Sequence, residues 1–496
     1  MLKFITSPTY LWIGLFLLFG LFQAEKVPNE SKSLQHLLEA QIPGWMESYE
    51  VPGVSIALIK DGTLKWVDAY GLANLSKKIP MTPQTICRVE SISKSVTARA
   101  ILKLAENGKI KLDDPVTNYL KSWEFPESEF DPRKVTIRRI LSNSAGLPLG
   151  TLGLEYAPSE KKPSLRESLA READIIFEPG SRFSYSNVGF NLLEVLIEDV
   201  TGQDFSEYMQ TEVLSPLGME NSDFEWSEDF ITPVPDGHNL NGEPVPVYVY
   251  SEKAAGGLFS NVEDLGRFVA SGMVGEFFKE DNTLSEQGLR GLYSPAVETA
   301  GVYSLVSDYY GMGHFTEVLP NGQTAVFSGG QGNGWMTHFH LFPETGDGIV
   351  ILTNSSRSWP LISQILSLWT DESNIEMVGM ELIAKARTGL WIIVALMFLL
   401  CFGKAFQIVK EAQKGLREFN LAFRHFNLSR VISIFSFMIL AALLIWIQTH
   451  EYLFLTSVFP VAATCFLNTL WIASVVLLMA VLLPKKAFHP NLDLNA

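Results

Sequence analysis

The chain has 496 residues, enough for one large domain with an appendage or for two or three ordinary domains. Its formal net charge is −16, its pI is near 5.1, and no run of Lys and Arg forms a basic face, so the sequence argues against a nucleic-acid partner. Of the three cysteines, Cys401 and Cys465 lie within apolar runs, which leaves Cys87 without a disulfide partner in the central region. Neither a disulfide framework nor a structural zinc site is expected.

The N-terminal segment predicts an export signal. No charged residue occurs between Lys3 and Glu25, and a continuous apolar run follows the short basic start. This arrangement is typical of a signal peptide, either cleaved or kept as an anchor. Ala24 could end a cleaved peptide, but Phe22 is a poor residue at the small-residue position before it. The sequence leaves cleavage open, and residues 1–24 are assigned to a signal peptide or N-terminal anchor.

Residues 35–370 have an ordinary globular composition and begin with a predicted hairpin. The segment 54–59 has the pattern of a strand, a Lys-Asp-Gly turn follows it, and 64–70 is the partner strand. The pattern becomes helical from 91 to 104 and ends at an Asn-Gly pair. The middle, roughly 110–250, is rich in loops and contains several helical stretches.

Strands return late in this region, at 335–342 and 348–353, and a helix follows from about Pro360. An N-terminal hairpin and C-terminal strands predict one sheet built from both ends, with the helical middle as a second lobe. We therefore expect an α/β fold, with a site in the cleft between the lobes.

The C-terminal part predicts three membrane-spanning helices, at about 389–409, at 431–449 and within 459–483. Each is close to the ~20 residues that cross a bilayer as a helix. Residues 388–484 are therefore assigned to a transmembrane region and residues 485–496 to a cytoplasmic tail.

The charges of the loops predict the orientation. The segment 404–430 carries six Lys or Arg residues, 448–458 carries none, and Lys485 and Lys486 follow the last span. The positive-inside rule places 404–430 and the C-terminus in the cytoplasm and residues 25–387 outside. We therefore expect a multi-pass protein of the cell membrane whose globular region is extracytoplasmic.

The first motif that indicates chemistry is Ser91-Ile92-Ser93-Lys94, at the start of the predicted helix. Residues three apart on a helix share a face, so Lys94 can reach the Ser91 hydroxyl and act as its base once it is desolvated. The motif alone is weak, because Ser159 and Lys162 repeat the spacing in a polar, proline-flanked stretch that predicts a loop.

The second motif is Tyr185-Ser186-Asn187, the only Tyr-x-Asn among the 14 tyrosines. A tyrosine near a lysine can shuttle a proton, and an amide can hold a substrate by hydrogen bonds. The alternative is a loop tyrosine that packs on its ring beside a local asparagine turn.

The third motif is the glycine-rich segment 328–335, which leads into a strand. Glycines allow backbone to approach a ligand closely, and the backbone N–H of Gln331 could complete an oxyanion hole with that of Ser91. Ser328, Gly330 and Gln331 are the candidate substrate-binding residues of this segment. The alternative is a simple bulge or turn.

In this order and spacing, the three motifs resemble those of the penicillin-recognising serine enzymes, which include class C β-lactamases, DD-peptidases and related esterases. The resemblance covers about residues 35–370. It extends to further segments: 51–53, 112–116, 135–138, 145–148 and 256–260.

The resemblance implies a β-lactamase-like sandwich with a mixed or antiparallel sheet and a helical lobe, followed here by the transmembrane helices. It implies no metal or other cofactor, and a covalent acyl-enzyme on Ser91. Lys94 and Tyr185 would be the proton-transfer pair, and Asn187 a positioning residue that contacts the substrate.

Three residues depart from the family pattern. Ser328 stands where Lys or His usually precedes a small residue and Gly, Glu90 stands where a small residue is common before the nucleophile, and Asn143 replaces a frequent His. A neutral residue in place of the cation favours uncharged esters and amides over substrates with a free carboxylate.

The histidines near the end of the region have less specific patterns. His338 and His340 alternate on a predicted strand and share a face, but a metal site would need a third ligand that the sequence does not identify. We therefore expect packed or hydrogen-bonded histidines. His314 could line the cleft, although a loop position is the simpler interpretation.

The leading functional interpretation is a membrane-anchored serine hydrolase that acts on a small peptide, ester or β-lactam-like amide. The sequence identifies the membrane and a small substrate as partners, and it leaves open whether the C-terminal helices only anchor the chain or also recruit a protein. The alternative is a cell-envelope sensor or binding module that is acylated, or binds ligand, without efficient turnover. A transporter is a third interpretation, disfavoured because the spans are few and the third contains one notable polar residue, Asn468.

Overall fold

A nine-stranded antiparallel sheet forms the centre of the computed structural model, which describes residues 33–150, 154–281, 283–420, 428–448 and 458–485. The predicted export segment lies outside these ranges. The strands are β1 Gly53–Lys60, β2 Thr63–Asn74, β3 Ile79–Pro80, β4 Cys87–Arg88, β5 Gly237–His238, β6 Pro244–Val245, β7 Phe259–Ser260, β8 Val297–Glu298, β9 Tyr309–Tyr310, β10 Phe315–Val318, β11 Thr324–Gly332, β12 Trp335–Phe342 and β13 Asp347–Thr353. The sheet order is β3-β2-β1-β13-β12-β11-β10-β9-β8, and β4–β7 and β5–β6 form separate two-stranded ladders.

The sheet joins the two ends of the globular region, as the sequence predicts. The hairpin β1–β2 turns at Asp61 and Gly62, whose φ angles of 53° and 62° fit a two-residue turn of the primed type. Strand β1 then pairs with β13, with Val54 opposite Thr353.

Helices cover both faces of the sheet and build the second lobe. They are α1 Leu34–Tyr49, α2 Ile92–Glu106, α3 Ile137–Leu141, α4 Leu165–Glu172, α5 Asn187–Thr201, α6 Phe205–Met209, α7 Val262–Ala270, α8 Glu286–Tyr293 and α9 Trp359–Ser373. Single turns of 3₁₀ helix occur at Val116–Asn118, Pro132–Lys134, Gly275–Phe277, Gly301–Leu305 and Gly379–Glu381, and a π-helical turn at Gln210–Leu214. The expected α/β fold, with an antiparallel sheet and a helical lobe, is confirmed.

Alternating residues of the central strands divide the interior into two cores. On β13, Val350 and Leu352 face the first core, which contains α2 and α5. Ile349 and Ile351 face the second core, which contains α1 and α9. Because successive side chains of a strand point to opposite faces, each residue of a strand belongs to one core or the other.

Three further helices follow the globular region: α10 Leu382–Gln413, α11 Leu428–Gln448 and α12 Pro460–Leu482. All three are long and apolar enough to cross a membrane, at the positions that the sequence predicts. Both α10 and α11 pack against α12.

The two ends of this helical bundle differ in their contacts. At one end, Phe459 and Ala463 of the α12 start pack in the second core of the globular region. At the other end, Arg417 donates a hydrogen bond of 2.7 Å to the carbonyl oxygen of Leu483, and Lys485 lies 3.3 Å from Glu411. The segment that follows α10 and the end of α12 therefore meet at the end away from the globular region.

Candidate active site

A cleft at the edge of the second core brings together residues that are distant in the sequence. Its empty volume is about 860 Å³, including space open to solvent. The lining comprises Ser91, Leu149, Tyr185, Asn187, Tyr303, Val306, Phe315, Phe327, Gly329, Gln331, His338, Trp359, Met380, Ile383 and Val458. Among the predicted site residues, Ser91, Tyr185, Asn187 and Gln331 thus share one cleft.

Ser91 precedes the first turn of α2, and its side chain makes no capping hydrogen bond. Lys94 follows one turn later, so its amine lies 3.1 Å from Ser91 Oγ, as the spacing predicts. The Lys94 side chain is fully buried, and this burial lowers its pKa to about 7, an effect that the charge of Glu90 partly offsets. A neutral amine at this position can accept the proton of the Ser91 hydroxyl.

A carbonyl oxygen orients the Lys94 amine. Lys94 Nζ donates a hydrogen bond of 2.7 Å to the backbone oxygen of Ala255. Glu194 of α5 holds this loop by accepting the N–H groups of Lys253 at 2.6 Å and Ala254 at 2.8 Å. With one amine hydrogen directed to Ala255, the lone pair of a neutral Lys94 can face Ser91. Sequence reasoning missed this contact, because it joins residues 161 positions apart.

Tyr185 and Asn187 flank the start of α5, where Ser186 caps the helix by accepting the Gly189 N–H at 3.0 Å. The Lys94 amine lies 5.1 Å from the centre of the Tyr185 ring. The ring stacks on Tyr303 at 5.4 Å, so Tyr185 is both packed on its faces and adjacent to the Ser91–Lys94 pair.

Two residues that depart from the family pattern hold this geometry in place. Glu90 is buried and accepts hydrogen bonds from Arg88 at 2.9 Å and from the hydroxyls of Tyr248 at 3.0 Å and Tyr250 at 2.9 Å. These bonds fix a residue whose φ angle of 52° is unusual outside glycine, directly before Ser91.

Asn143 has a similar supporting role at the second motif. Its Oδ1 accepts a hydrogen bond of 3.0 Å from the backbone N–H of Ser186. Its backbone oxygen accepts one of 2.6 Å from the backbone N–H of Ser184. Asn143 therefore fixes the segment that carries Tyr185.

The glycines of β11 allow the strand to approach the two residues before Ser91, Val89 and Glu90. A Cβ atom on Gly330 would lie 2.1 Å from the carbonyl oxygen of Val89, and one on Gly332 would lie 2.4 Å from the Glu90 carboxyl carbon. Thr337 of the next strand also donates a hydrogen bond of 2.8 Å to the Val89 oxygen. The close approach predicted for a ligand is thus made to the chain itself, to the Val89 backbone at Gly330 and to the Glu90 side chain at Gly332.

The alternation of side chains along β11 corrects the prediction that Ser328 contacts the substrate. Ser328 pairs with Phe339, which belongs to the first core, and it does not line the cleft. Its neighbour Phe327 pairs with His340, packs in the second core and does line the cleft. Phe327 therefore occupies the position on the wall of the cleft at which the resemblance implies Lys or His.

Gly330 also lies on the face away from the cleft lining, opposite Thr337, whereas Gln331 lies on the cleft face. The Gln331 side chain accepts a hydrogen bond of 3.1 Å from the indole N–H of Trp359. This contact anchors the Gln331 side chain. The backbone N–H of Gln331 is the predicted partner of the Ser91 N–H in the oxyanion hole.

The three histidines predicted to be packed or to line the cleft are all buried in the globular region. His338 and His340 share the cleft-side face of β12, with 3.4 Å between Nε2 and Nδ1. Burial lowers the pKa of His338 to about 3 and that of His340 well below its usual value, so both rings are neutral near pH 7. His314 is buried, bonded to the Met312 oxygen at 3.0 Å, and lies outside the cleft lining. Within the described ranges, no group of three His, Cys, Asp or Glu could hold a metal ion.

The chain is similar to several known proteins. Protein flp of Staphylococcus aureus (strain N315) is 24% identical over 379 residues, which cover 72% of this chain and 73% of that protein. The mitochondrial serine beta-lactamase-like protein LACTB of Bos taurus is 25% identical over 327 residues, covering 48% of this chain and 55% of that protein. The octameric penicillin-binding protein homologue from Pyrococcus abyssi matches in structure with a TM-score of 0.58 at 29% identity, covering 67% of this chain and 77% of that chain.

The family model described as Beta-lactamase matches residues 38–363, which is more than half of the chain. This span contains the complete sheet, the Ser91–Lys94 pair and the Tyr185–Asn187 segment. The chain therefore belongs to the Beta-lactamase family.

Proposed function

We propose that the chain is a membrane-anchored serine hydrolase that forms an acyl-enzyme on Ser91 and acts outside the cytoplasm. Its substrate would be a peptide, an ester or a β-lactam-like amide. The observation that carries the proposal is the 3.1 Å distance between Ser91 Oγ and the fully buried amine of Lys94. A structural lysine is rarely buried unless it is paired with a charge, whereas this amine contacts a hydroxyl and a carbonyl oxygen.

In the first half-reaction, Ser91 Oγ attacks the carbonyl carbon of the substrate while its proton passes to neutral Lys94. The backbone N–H groups of Ser91 and Gln331 would stabilise the oxyanion that develops on the carbonyl oxygen. When the intermediate collapses, the bond to the leaving group breaks, and the alcohol or amine leaves with a proton delivered from Lys94 through the Tyr185 hydroxyl. Asn187 would position the substrate.

In the second half-reaction, water attacks the acyl ester, with the same groups accepting and returning its proton. The bond between Ser91 Oγ and the acyl carbon breaks, the acid leaves, and Oγ regains its hydrogen.

Membrane attachment rests on the three apolar helices, and sidedness on the basic loop. The end of the bundle that carries Arg417 and Lys485 lies away from the globular region. This arrangement agrees with a cytoplasmic basic loop and an external globular region.

A sensor is the second candidate, because residues of the membrane segments reach the site. Met380, Ile383 and Val458 line the same cleft as Ser91, so a bound or covalently attached ligand would contact the start of two apolar helices. Repeated turnover distinguishes an enzyme from a sensor, which would release little more than one equivalent of leaving group.

The proposal is tested by labelling the purified full-length protein with a fluorophosphonate and with a phenyl ester, followed by peptide mass spectrometry. The adduct is expected on the peptide that contains Ser91, and Ser91→Ala is expected to abolish it. Ser159→Ala is the matched control, because Ser159 repeats the spacing to a lysine but lies exposed in a turn. Full-strength labelling of Ser91→Ala would exclude the mechanism.

A further inference from the structure

The cleft that contains Ser91 is closed on one side by the segments that lead into the apolar helices. Met380 lies in the turn before α10, Ile383 lies in the first turn of α10, and Val458 lies two residues before the start of α12. Each of the three side chains is at least 95% buried, and all three pack in the second core of the globular region. The hydrolase cleft therefore shares a wall with the membrane-facing part of the molecule.

This wall lies near the depth at which a bilayer would begin. Ile383 precedes Gly389, where the uninterrupted apolar sequence of α10 starts, by six residues. Six residues of α-helix span about 9 Å. Lys385 and Arg387 lie between them, as cations commonly do at the headgroup level of a membrane helix. The cleft wall is thus within about one headgroup layer of the hydrocarbon region.

The cleft is built for an uncharged ligand with a large apolar part. None of its lining residues in the described part of the chain carries a carboxylate, an ammonium or a guanidinium group. Phe327 fills the wall position at which a cation is expected, and it stacks on Phe315 at 5.2 Å. Phe315 in turn stacks on Tyr185 at 6.2 Å, so an aromatic surface joins Tyr185 to Phe327 in the cleft that Met380 and Ile383 also line.

We propose that this cleft binds the acyl chain of an uncharged, membrane-resident long-chain ester, with the carbonyl carbon at Ser91 and the chain against Phe327, Ile383 and Val458. The proposal rests on the hydrolase function proposed above and names its substrate class. The ester C–O bond breaks as the bond from Ser91 Oγ to the acyl carbon forms, and the alcohol leaves with the proton that Ser91 gave up. Water then releases the long-chain carboxylic acid.

Chain length in the substrate provides the first measurement. Burial of one methylene group changes an equilibrium or rate constant by about fourfold, so kcat/KM should rise at least tenfold from a two-carbon to an eight-carbon acyl group. The probes are p-nitrophenyl esters of two, four, eight and twelve carbons, with full-length protein in bilayer discs of uncharged lipid.

Variants of the wall provide the second measurement. Ile383→Trp and Val458→Trp fill the cleft and should lower the ratio of kcat/KM for the eight-carbon ester to that for the two-carbon ester at least fivefold. Leu382→Trp and Val461→Trp are the matched controls, because both residues are exposed neighbours outside the cleft lining. In these controls the ratio of the two kcat/KM values should equal that of the wild type. Partition of the esters into lipid affects all variants alike, so a lower ratio in the cleft variants alone reports binding in the cleft.

The outcomes separate this proposal from the hydrolase function. A flat chain-length profile in a wild type that is acylated on Ser91 would overturn the acyl-chain site and leave the hydrolase intact. An unchanged ratio in both cleft variants, with labelling of Ser91 by a small fluorophosphonate retained as proof of folding, would overturn it as well. If no ester acylates Ser91 but the fluorophosphonate labels it, the ester substrate class is overturned and the hydrolase remains. If neither reagent modifies Ser91, the hydrolase function fails together with the substrate class.

Discussion

The Lys94 amine lies 3.1 Å from the Ser91 hydroxyl and is held there by the carbonyl oxygen of Ala255 at 2.7 Å. Its side chain is inaccessible to solvent, and burial lowers its pKa from 10.5 to about 7. Because only the neutral amine can accept the hydroxyl proton, we expect the protonation of Lys94 to control the reactivity of Ser91.

The pH dependence of acylation follows from this pKa. Below pH 7 the amine is protonated and cannot act as a base, so acylation by a neutral ester should rise with pH through a midpoint near 7 and level off above about 8. The measurement is the second-order rate constant for labelling of Ser91 between pH 5.5 and 8.5. A rate that falls with rising pH would contradict the assignment of Lys94 as the base.

Removal of either proton-transfer group should slow acylation without unfolding the protein. Lys94→Ala and Tyr185→Phe are each expected to lower the rate constant by roughly 10²-fold or more, the usual effect of losing general acid–base catalysis. Tyr309→Phe is the control, since this tyrosine lies on β9, outside the cleft lining. Equal losses in Tyr185→Phe and Tyr309→Phe would assign Tyr185 a packing role only.

The substrate preference should depend on residue 327 rather than on residue 328. Phe327→His adds a hydrogen-bond donor to the cleft wall, and such a bond to a charged group contributes about 1.5–3 kcal/mol. The ratio of acylation rates for a carboxylate-bearing β-lactam and a neutral ester should therefore rise at least tenfold. Ser328→His is the matched variant, because position 328 faces the first core. A larger increase in Ser328→His would reverse our assignment of the wall position.

This difference between positions 327 and 328 shows where sequence reasoning reaches its limit. The contact of Ser91 with Lys94 is local, since residues three apart on a helix always share a face. The face of a strand residue instead depends on register, and a shift of one residue exchanges every side chain between the two faces. The glycines of β11 disguise this alternation, because they have no side chains to indicate which face is buried.

Contacts between residues that are far apart in the sequence likewise could not be predicted from it. The hairpin, the late strands and the three apolar helices could be predicted because each repeats a local pattern of polarity. The carbonyl oxygen of Ala255 and the walls formed by Ile383 and Val458 have no local pattern, because any residue type supplies a carbonyl and any apolar residue can line a wall.

Strand β11 depends on having no side chain at Gly330. In Gly330→Ala the new Cβ would meet the carbonyl oxygen of Val89 at 2.1 Å, so the strand must move away from the start of α2. Strain of this kind typically costs about 1–3 kcal/mol of stability, and acylation of Ser91 should fall more steeply because the predicted oxyanion donor of Gln331 moves with the strand. Thermal unfolding and labelling rates measure the two effects.

Gly44→Ala provides the control for this substitution. Gly44 lies within α1, and a Cβ there would meet no atom within 4 Å. Alanine in a helix is favoured over glycine by up to about 1 kcal/mol, so this variant should be as stable as the wild type or more so. Wild-type labelling rates in Gly330→Ala would show that the close approach of β11 is dispensable.

The orientation in the membrane can be tested at the two ends of the helical bundle. Phe459 packs in the second core, beside the globular region, whereas Arg417 contacts Leu483 at the opposite end. With six basic residues between 404 and 430, the end that carries Arg417 should be cytoplasmic and the globular region external. Single cysteines at exposed positions, Ala300→Cys and Leu416→Cys, report the two sides when Cys87, Cys401 and Cys465 are replaced by alanine.

An impermeant maleimide applied to intact cells should label Ala300→Cys and spare Leu416→Cys, and both should react after the membrane is permeabilised. The second condition is the control, because it shows that each thiol is reactive once the reagent can reach it. Labelling of Leu416→Cys but not of Ala300→Cys on intact cells would place the Ser91 cleft in the cytoplasm. The substrate would then have to come from the inner leaflet, since the cleft and the start of α10 lie on the same side of the bundle.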